Sequence, residues 1–376
     1  MRDPELHILF IATEYAAGMR PYASAIIHTL WQAGDHAVIV AKDDNVKHDF
    51  DDLDGDSVTW VDYPVTKLHK LAFRFRPTRL VKLIEQLVVE RGIRLIYCLT
   101  GELILVNHIK RLQQLAPMLY TVHDAVGHDS KFDGWNTWLK HKILIDGPRQ
   151  RLIRNTNCQI TNSYDQQCLI KERHPYHKVY YAPFPTLVTD DIANGTDTVP
   201  ETSHIADGYI LFFGNLQLYK GVHLLYDAYM KHPGLQMRHL VIAGAGHIYF
   251  KRQADEKGVT FVNRYIDDSE LKDLFSRAAV VVYPYISATQ SGVTSIASYF
   301  DKPMVLSDLP FFKQACEGIK GVEFFPSGDS LELISAIDRA LMSADSTRLL
   351  YERLYAPEAM LAALEEVIQA ACGAPE

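Results

Sequence analysis

Residues 210–221 read Ile-Leu-Phe-Phe-Gly-Asn-Leu-Gln-Leu-Tyr-Lys-Gly, and they decide the fold class. An apolar strand ends at Gly214, and a short turn carries Lys220 to a helix start at Gly221. In that geometry backbone N–H groups and an ammonium can face a phosphate. About seventy residues on, 283–293 read Tyr-Pro-Tyr-Ile-Ser-Ala-Thr-Gln-Ser-Gly-Val, another strand whose turn opens a helix at the small residues Ser291 and Gly292. Two such turns in one sheet point to a nucleotide diphosphate held between them.

Working outward, strand-like apolar runs at 6–12, 36–41, 57–61, 94–98, 117–122, 158–161 and 177–181 alternate with amphipathic stretches such as 20–33, 77–91, 102–115 and 163–172. A second alternating series has strands at 209–213, 239–243, 259–262, 279–283, 303–306 and 322–325, with helices at 221–231, 269–277, 292–300, 310–316 and 330–343. Alternation of this kind predicts mostly parallel sheets with helices on both faces. The expected division is 1–185 for one domain, a polar linker 186–207, 208–352 for another domain, and a helical segment 353–376. Doubly wound sheets bind ligands at the carboxyl ends of their strands, so the chemistry is expected in a cleft between two such domains.

Composition narrows the classes. A chain of 376 residues with 48% hydrophobic content can bury two ordinary cores. The net charge of −8 argues against general nucleic-acid binding. No apolar run reaches bilayer length, and the strand-like 6–12 follows Met1-Arg2-Asp3-Pro4-Glu5 without a signal-peptide layout, so a cytoplasmic protein is expected. The cysteines, Cys98, Cys158, Cys168, Cys316 and Cys372, are odd in number and in no metal-ligand spacing, which fits a reducing compartment. Seven aspartates lie between Asp43 and Asp56, but their spacing misses the ligand positions of a calcium loop and reads as a solvated, mobile loop. Residues 67–82 interleave Lys67, Lys70, Arg74, Arg76, Arg79 and Lys82 with Leu68, Leu71, Phe73, Phe75 and Leu80. That mixture suits either a helix approach with core aromatics or peripheral contact with the inner face of a membrane.

The order and spacing of several stretches resemble the retaining glycosyltransferases of family four, enzymes of bacterial glycan and cell-surface polysaccharide synthesis. Those stretches are the opening strand with its glycine loop, Thr121-Val122-His123-Asp124, the Gly214 to Gly221 turn, Ile242-Ala243-Gly244-Ala245-Gly246, the Ala288 to Val293 turn and Lys302-Pro303-Met304-Val305. The resemblance implies an α/β GT-B fold, two doubly wound Rossmann-like domains facing across a cleft, with the last helix returning to the N-terminal domain. It also implies a hexosyltransferase-type reaction that moves a sugar from a nucleotide-diphosphate donor to a hydroxyl of a glycan or lipid-linked acceptor. Neither a cofactor nor a metal is expected beyond the nucleotide sugar itself, and no nucleic-acid partner.

Residue by residue, the resemblance makes His123, Asp124 and Lys220 the catalytic candidates. Lys220 would neutralise the leaving diphosphate, although an exposed helix-capping lysine is the plainer reading of such a residue. His123 and Asp124, with Gly127, His128 and Asp129 close behind, would touch the sugar or acceptor; a strand-end histidine can equally be a satisfied structural group. Donor binding would fall to Gly18, Gly214, Asn215, Lys220, Gly244, Thr289, Gln290, Ser291, Gly292 and Val293. Three departures from the family pattern stand out. Asn215 replaces a second cation, and Thr289 and Ala297 occupy positions where many members carry glutamates. The alternatives are a nucleotide-sugar epimerase on the same fold, which would need acidic residues flanking the sugar, and, motivated by these departures, a catalytically weak partner of another transferase. The Gly244-Ala245-Gly246 segment lacks the third glycine of a dinucleotide fingerprint and does not support an NAD site.

Overall fold

The computed structural model describes residues 6–15, 19–31, 35–42, 49–62, 66, 78–125, 142–254, 256–288 and 290–373. It divides into two compact units, Met1–Pro185 with Met360–Glu376, and Thr186–Ala359. Gly18, Gly127, His128, Asp129, Thr289 and the 67–77 part of the basic stretch lie outside the described residues.

The first unit is built on β1 (Ile8–Ala12), β2 (Ala37–Lys42), β3 (Val58–Asp62), β4 (Leu95–Cys98), β5 (Met118–Thr121), β6 (Cys158–Thr161) and β7 (Lys178–Tyr181). All pairings are parallel, in the order β3-β2-β1-β4-β5-β6-β7. Every residue of β1 is fully buried, as a strand covered on both faces requires, which explains its unbroken apolar sequence. From β1 the chain moves outward to β3, then returns to β4 on the other side. The gap between β1 and β4 is thus the switch point of the sheet, where an open α/β sheet offers a crevice.

The second unit repeats the plan with β8 (Tyr209–Phe213), β9 (Leu240–Ala243), β10 (Val259–Val262), β11 (Ala278–Tyr283), β12 (Met304–Ser307) and β13 (Val322–Phe325). Their order is β10-β9-β8-β11-β12-β13, again parallel, so this switch point lies between β8 and β11. The two strands whose turns opened the sequence reading are therefore hydrogen-bonded neighbours. Two parallel sheets flanked by helices make the architecture α/β of the GT-B type.

The closing helix, Pro357–Cys372, buries Met360, Leu364, Val367, Ile368 and Ala371, a stripe at helical spacing, in the core formed by Ile8, Phe10, Tyr22 and Ile26 of the first unit.

Three expectations differ from what folds. Residues 102–115, expected as one helix, form a short 3-10 turn at Leu103–Leu105 and a helical turn at Ile109–Leu112. The cause is Glu102, whose backbone is left-handed (φ 46°) and whose side chain turns inward, so no regular helix can start there. Residues 186–207, expected as linker, carry a helix at Asp190–Asn194 and a 3-10 turn at Pro200–Thr202, with Ile192 and Val199 buried in the second core. In the aspartate-rich stretch, of which 43–48 lie outside the described residues, Asp51, Asp52, Asp54 and Asp56 are exposed as expected, but Asp49 holds Arg20 by a two-point ion pair (2.7 and 2.5 Å) and accepts from the Tyr15 hydroxyl at 2.7 Å.

Candidate active site

In the second unit the strand-end loops stack backbone upon backbone. Gly214 N donates to Ala243 O at 2.9 Å, Leu216 N to Ala245 O at 2.9 Å, and Ile286 N to Tyr219 O at 2.7 Å. Glycine permits this closeness. A Cβ on Gly244 (φ +143°) would lie 2.2 Å from Gly214 O, and one on Gly221 (φ +66°) would lie 1.9 Å from Pro284 O. Gly221 also follows the 3-10 turn Leu218–Lys220 and precedes the helix Val222–Lys231, so its left-handed backbone is the hinge that turns Lys220 back toward the strand.

Lys220 Nζ consequently lies over Gly214, where a Cβ would meet it at 2.8 Å, and 5.2 Å from the centre of the Tyr285 ring. Burial opposes its charge, but the neighbouring phenols of Tyr285 and Tyr219 outweigh burial and raise its pKa. Among the described residues no carboxylate pairs with it. The Tyr285 hydroxyl beside it is buried and within hydrogen-bonding reach of the ammonium. A charged, carboxylate-free ammonium beside exposed loop backbone is an arrangement suited to an anionic ligand.

The other expected donor contacts divide by burial. Asn215 is exposed, Gln290 and Ser291 are partly exposed, and Gly244, Gly292 and Val293 are buried. Gly292 caps the helix Val293–Tyr299 and accepts from Ser295 Oγ at 2.6 Å. Ala297, aligned with a family glutamate, is fully buried in the second core.

In the first unit His123 follows β5. Its Nε2 donates to Leu99 O at 2.8 Å, and its ring meets Tyr22 edge-on at 4.7 Å. Burial holds its pKa below the ordinary histidine value, against the smaller upward pulls of the Leu99 carbonyl and Asp124. A neutral ring donating from Nε2 keeps Nδ1 as an acceptor. Asp124 is partly exposed beside it.

Sequence reading missed two carboxylates at the β1/β4 switch point. Glu102 is fully buried and accepts from Thr13 N (3.2 Å), Thr100 N (3.3 Å), Thr100 Oγ1 (2.5 Å) and Thr13 Oγ1. Glu14 crosses Gly101, where a Cβ would lie 2.2 Å from its Oε2, and accepts from Leu103 N at 3.2 Å. The available signal was Leu99-Thr100-Gly101-Glu102, a polar, glycine-bearing turn directly after a strand.

Burial pushes the Glu102 carboxyl up to about 7, with the Thr100 and Thr13 hydrogen bonds opposing and the Glu14 charge adding. A folded pKa above the ordinary carboxyl value means the neutral form is favoured in the fold. The stability it contributes is full below the unfolded pKa and is lost as pH rises through about 7. Glu102→Gln should therefore gain stability relative to wild type as pH rises from 5 to 8, by on the order of 3 kcal/mol. Urea unfolding at both pH values measures this; parallel curves for the two proteins would refute it.

Residues 207–343 match the family model described as glycosyl transferases group 1, so the second unit carries a glycosyltransferase domain and the chain is a glycosyltransferase. No curated protein matches the sequence. Among solved structures, sucrose-phosphate synthase from Thermosynechococcus elongatus is similar at 18% identity over 97% of this chain and 98% of that one, with a TM-score of 0.69. The Anabaena protein HepE, solved in complex with UDP and glucose, is similar at 18% identity over 97% of this chain and 100% of that one, with a TM-score of 0.67. A glycosyltransferase from Rickettsia africae is 12% identical over 98% of this chain and 99% of that one, with a TM-score of 0.67. At such identities the likeness concerns the fold.

Proposed function

We propose that the chain is a retaining glycosyltransferase that moves a sugar from a nucleotide-diphosphate donor to a hydroxyl of a glycan or lipid-linked acceptor. The observation that carries this reading is Lys220 at the β8/β11 switch point, folded over Gly214 and paired with no carboxylate among the described residues. HepE is described in complexes with UDP and with UDP-glucose, which supports a uridine nucleotide sugar as the donor class.

In the proposed step the bond from the sugar's anomeric carbon to the diphosphate breaks as the acceptor oxygen bonds that carbon on the same face. The acceptor proton passes to a donor phosphate oxygen. Charge builds on the leaving diphosphate, which the Lys220 ammonium would stabilise together with the Asn215 N–H, since Gly214 N and Leu216 N already donate to Ala243 O and Ala245 O. Asn215 can add a hydrogen bond but no charge, so Lys220 carries more of that task. Gln290, Ser291 and Gly292 offer amide, hydroxyl and N–H partners to the donor, with Val293 packing beneath them. His123 and Asp124 would contact the sugar or acceptor.

A thermal-shift screen with UDP, GDP, ADP and their glucose and mannose derivatives tests the reading. A true donor at a hundredfold excess over its Kd stabilises by about 2.7 kcal/mol. No shift with any of these would overturn it, and would favour a catalytically weak partner of another transferase, the reading to which exposed Asn215 and buried Ala297 lend weight.

His123→Ala should lower transfer far more than nucleoside-diphosphate affinity, because the ring is expected to meet sugar or acceptor and not phosphate. Turnover and isothermal calorimetry with the diphosphate separate the two. Equal losses in both, together with a lower melting temperature, would make His123 a structural group.

A further inference from the structure

The switch point of the first sheet is bridged by one side chain. Thr13 follows β1 and Thr100 follows β4, and the Glu102 carboxylate accepts from the backbone N–H and the hydroxyl of both. The backbone groups can only donate, whereas the hydroxyls can turn, so one carboxyl oxygen must remain an acceptor while the other can bear a proton. No cation pairs with Glu102 among the described residues. Its left-handed backbone (φ 46°) is a conformation a glutamate keeps only where its surroundings enforce it.

The segment that Glu102 anchors holds two further groups. Glu14 N donates to Thr100 Oγ1 at 3.1 Å, and Glu14 Oε1 accepts from Leu103 N at 3.2 Å. The Leu99 carbonyl receives His123 Nε2 at 2.8 Å. Glu14 and His123 are thus oriented by residues 99–103, and Glu14 is only partly buried. A carboxylate in that state is a strong acceptor for sugar hydroxyls.

We propose that Glu102 is a positioning residue for sugar transfer: it ties the loops after β1 and β4 into one platform that aims Glu14 and His123 at substrate hydroxyls. The inference rests on the transferase reading above.

The titratable and charged groups around it are few. Glu14 faces Glu102 from the loop after β1, Cys98 from β4 and Tyr120 from β5; Arg149, on the helix Gly147–Asn155, faces Tyr120 and His123. Burial pushes the Cys98 thiol and the Tyr120 hydroxyl upward, so both stay protonated between pH 6 and 8. Ionising Glu102, in contrast, places a buried anion beside Glu14 and loosens the platform.

The test compares wild type, Glu102→Ala, Glu102→Gln and Thr100→Val. Steady-state transfer is measured at pH 6 and pH 8, and deuterium exchange is followed at 13–15 and 99–103. Glu102→Ala is expected to lower kcat about ten- to a hundredfold while donor KM moves less than about threefold. Glu102→Gln should restore much of that loss, because its amide oxygen keeps both N–H donors and its NH2 replaces the carboxyl proton. Wild-type kcat should fall about tenfold from pH 6 to pH 8 as the neutral fraction drops, and the glutamine variant should lose that dependence. Thr100→Val should increase exchange at 99–103, and it carries the test if Glu102→Ala fails to fold. Wild-type kcat in Glu102→Ala and Thr100→Val and a wild-type pH profile in Glu102→Gln, with only a lower melting temperature, would reduce Glu102 to a structural group. Unchanged exchange at 13–15 and 99–103 in the variants would overturn the proposal whatever the turnover. If wild type transfers no sugar, the transferase reading fails, while the exchange measurements still decide whether Glu102 sets these loops.

Discussion

Lys220→Ala is expected to fold normally and to lose roughly a hundred- to a thousandfold in turnover, the usual cost of deleting one electrostatic donor aimed at developing charge. Its ammonium lies over Gly214, 5.2 Å from the Tyr285 ring centre, at the switch point between β8 and β11. The exposed amide of Asn215 cannot substitute, because an amide does not neutralise a diphosphate. Stability should change little, since the lysine closes no ion pair among the described residues. Lys220→Arg keeps the charge but adds a planar fork to a space bounded by Gly214 and Tyr285, so it should recover only part of the loss. Near-normal turnover in Lys220→Ala, measured at saturating donor, would remove this residue from the mechanism.

Gly221→Ala should damage both the fold and the reaction. An alanine there must hold φ near +66°, and its Cβ would lie 1.9 Å from Pro284 O, a backbone atom that cannot step aside without moving the loop after β11. The left-handed backbone and the forced shift together cost roughly 2 to 5 kcal/mol. For a unit of this size that corresponds to a drop in melting temperature of roughly 5 to 15 °C. Gly318→Ala is the internal control: its φ of +72° is nearly the same, but a Cβ there meets nothing within 4 Å. Only the dihedral cost should appear at Gly318. Calorimetric melting of the two variants decides the matter, and equal shifts would show that the contact with Pro284 is relieved cheaply.

The fold was legible where burial is uniform. Strands such as Ile8–Ala12 and Leu240–Ala243 are short, fully buried apolar runs bounded by polar or turn residues, and a parallel sheet covered on both faces asks for that pattern. The glycines of the β8 loop were legible as well, since Gly214 and Gly221 interrupt such runs at strand and helix ends. What could not be read was any feature created by tertiary contact. Glu102 lies 89 residues from Thr13, and its apolar neighbours Leu103, Ile104 and Leu105 give the stretch a helical look. Only the meeting of two loops turns that glutamate inward and breaks the helix.

The helix Pro357–Cys372 has a consequence for how the chain is made. Its stripe of Met360, Leu364, Val367, Ile368 and Ala371 completes a core whose other members are translated before residue 186. At typical elongation rates the final piece follows roughly 10 to 35 s later. During that interval the second unit, continuous in sequence, can finish folding, while Phe10, Tyr22 and Ile26 await their cover. The nascent N-terminal half is then the natural client of chaperones, and late truncations would strand it with that surface bare.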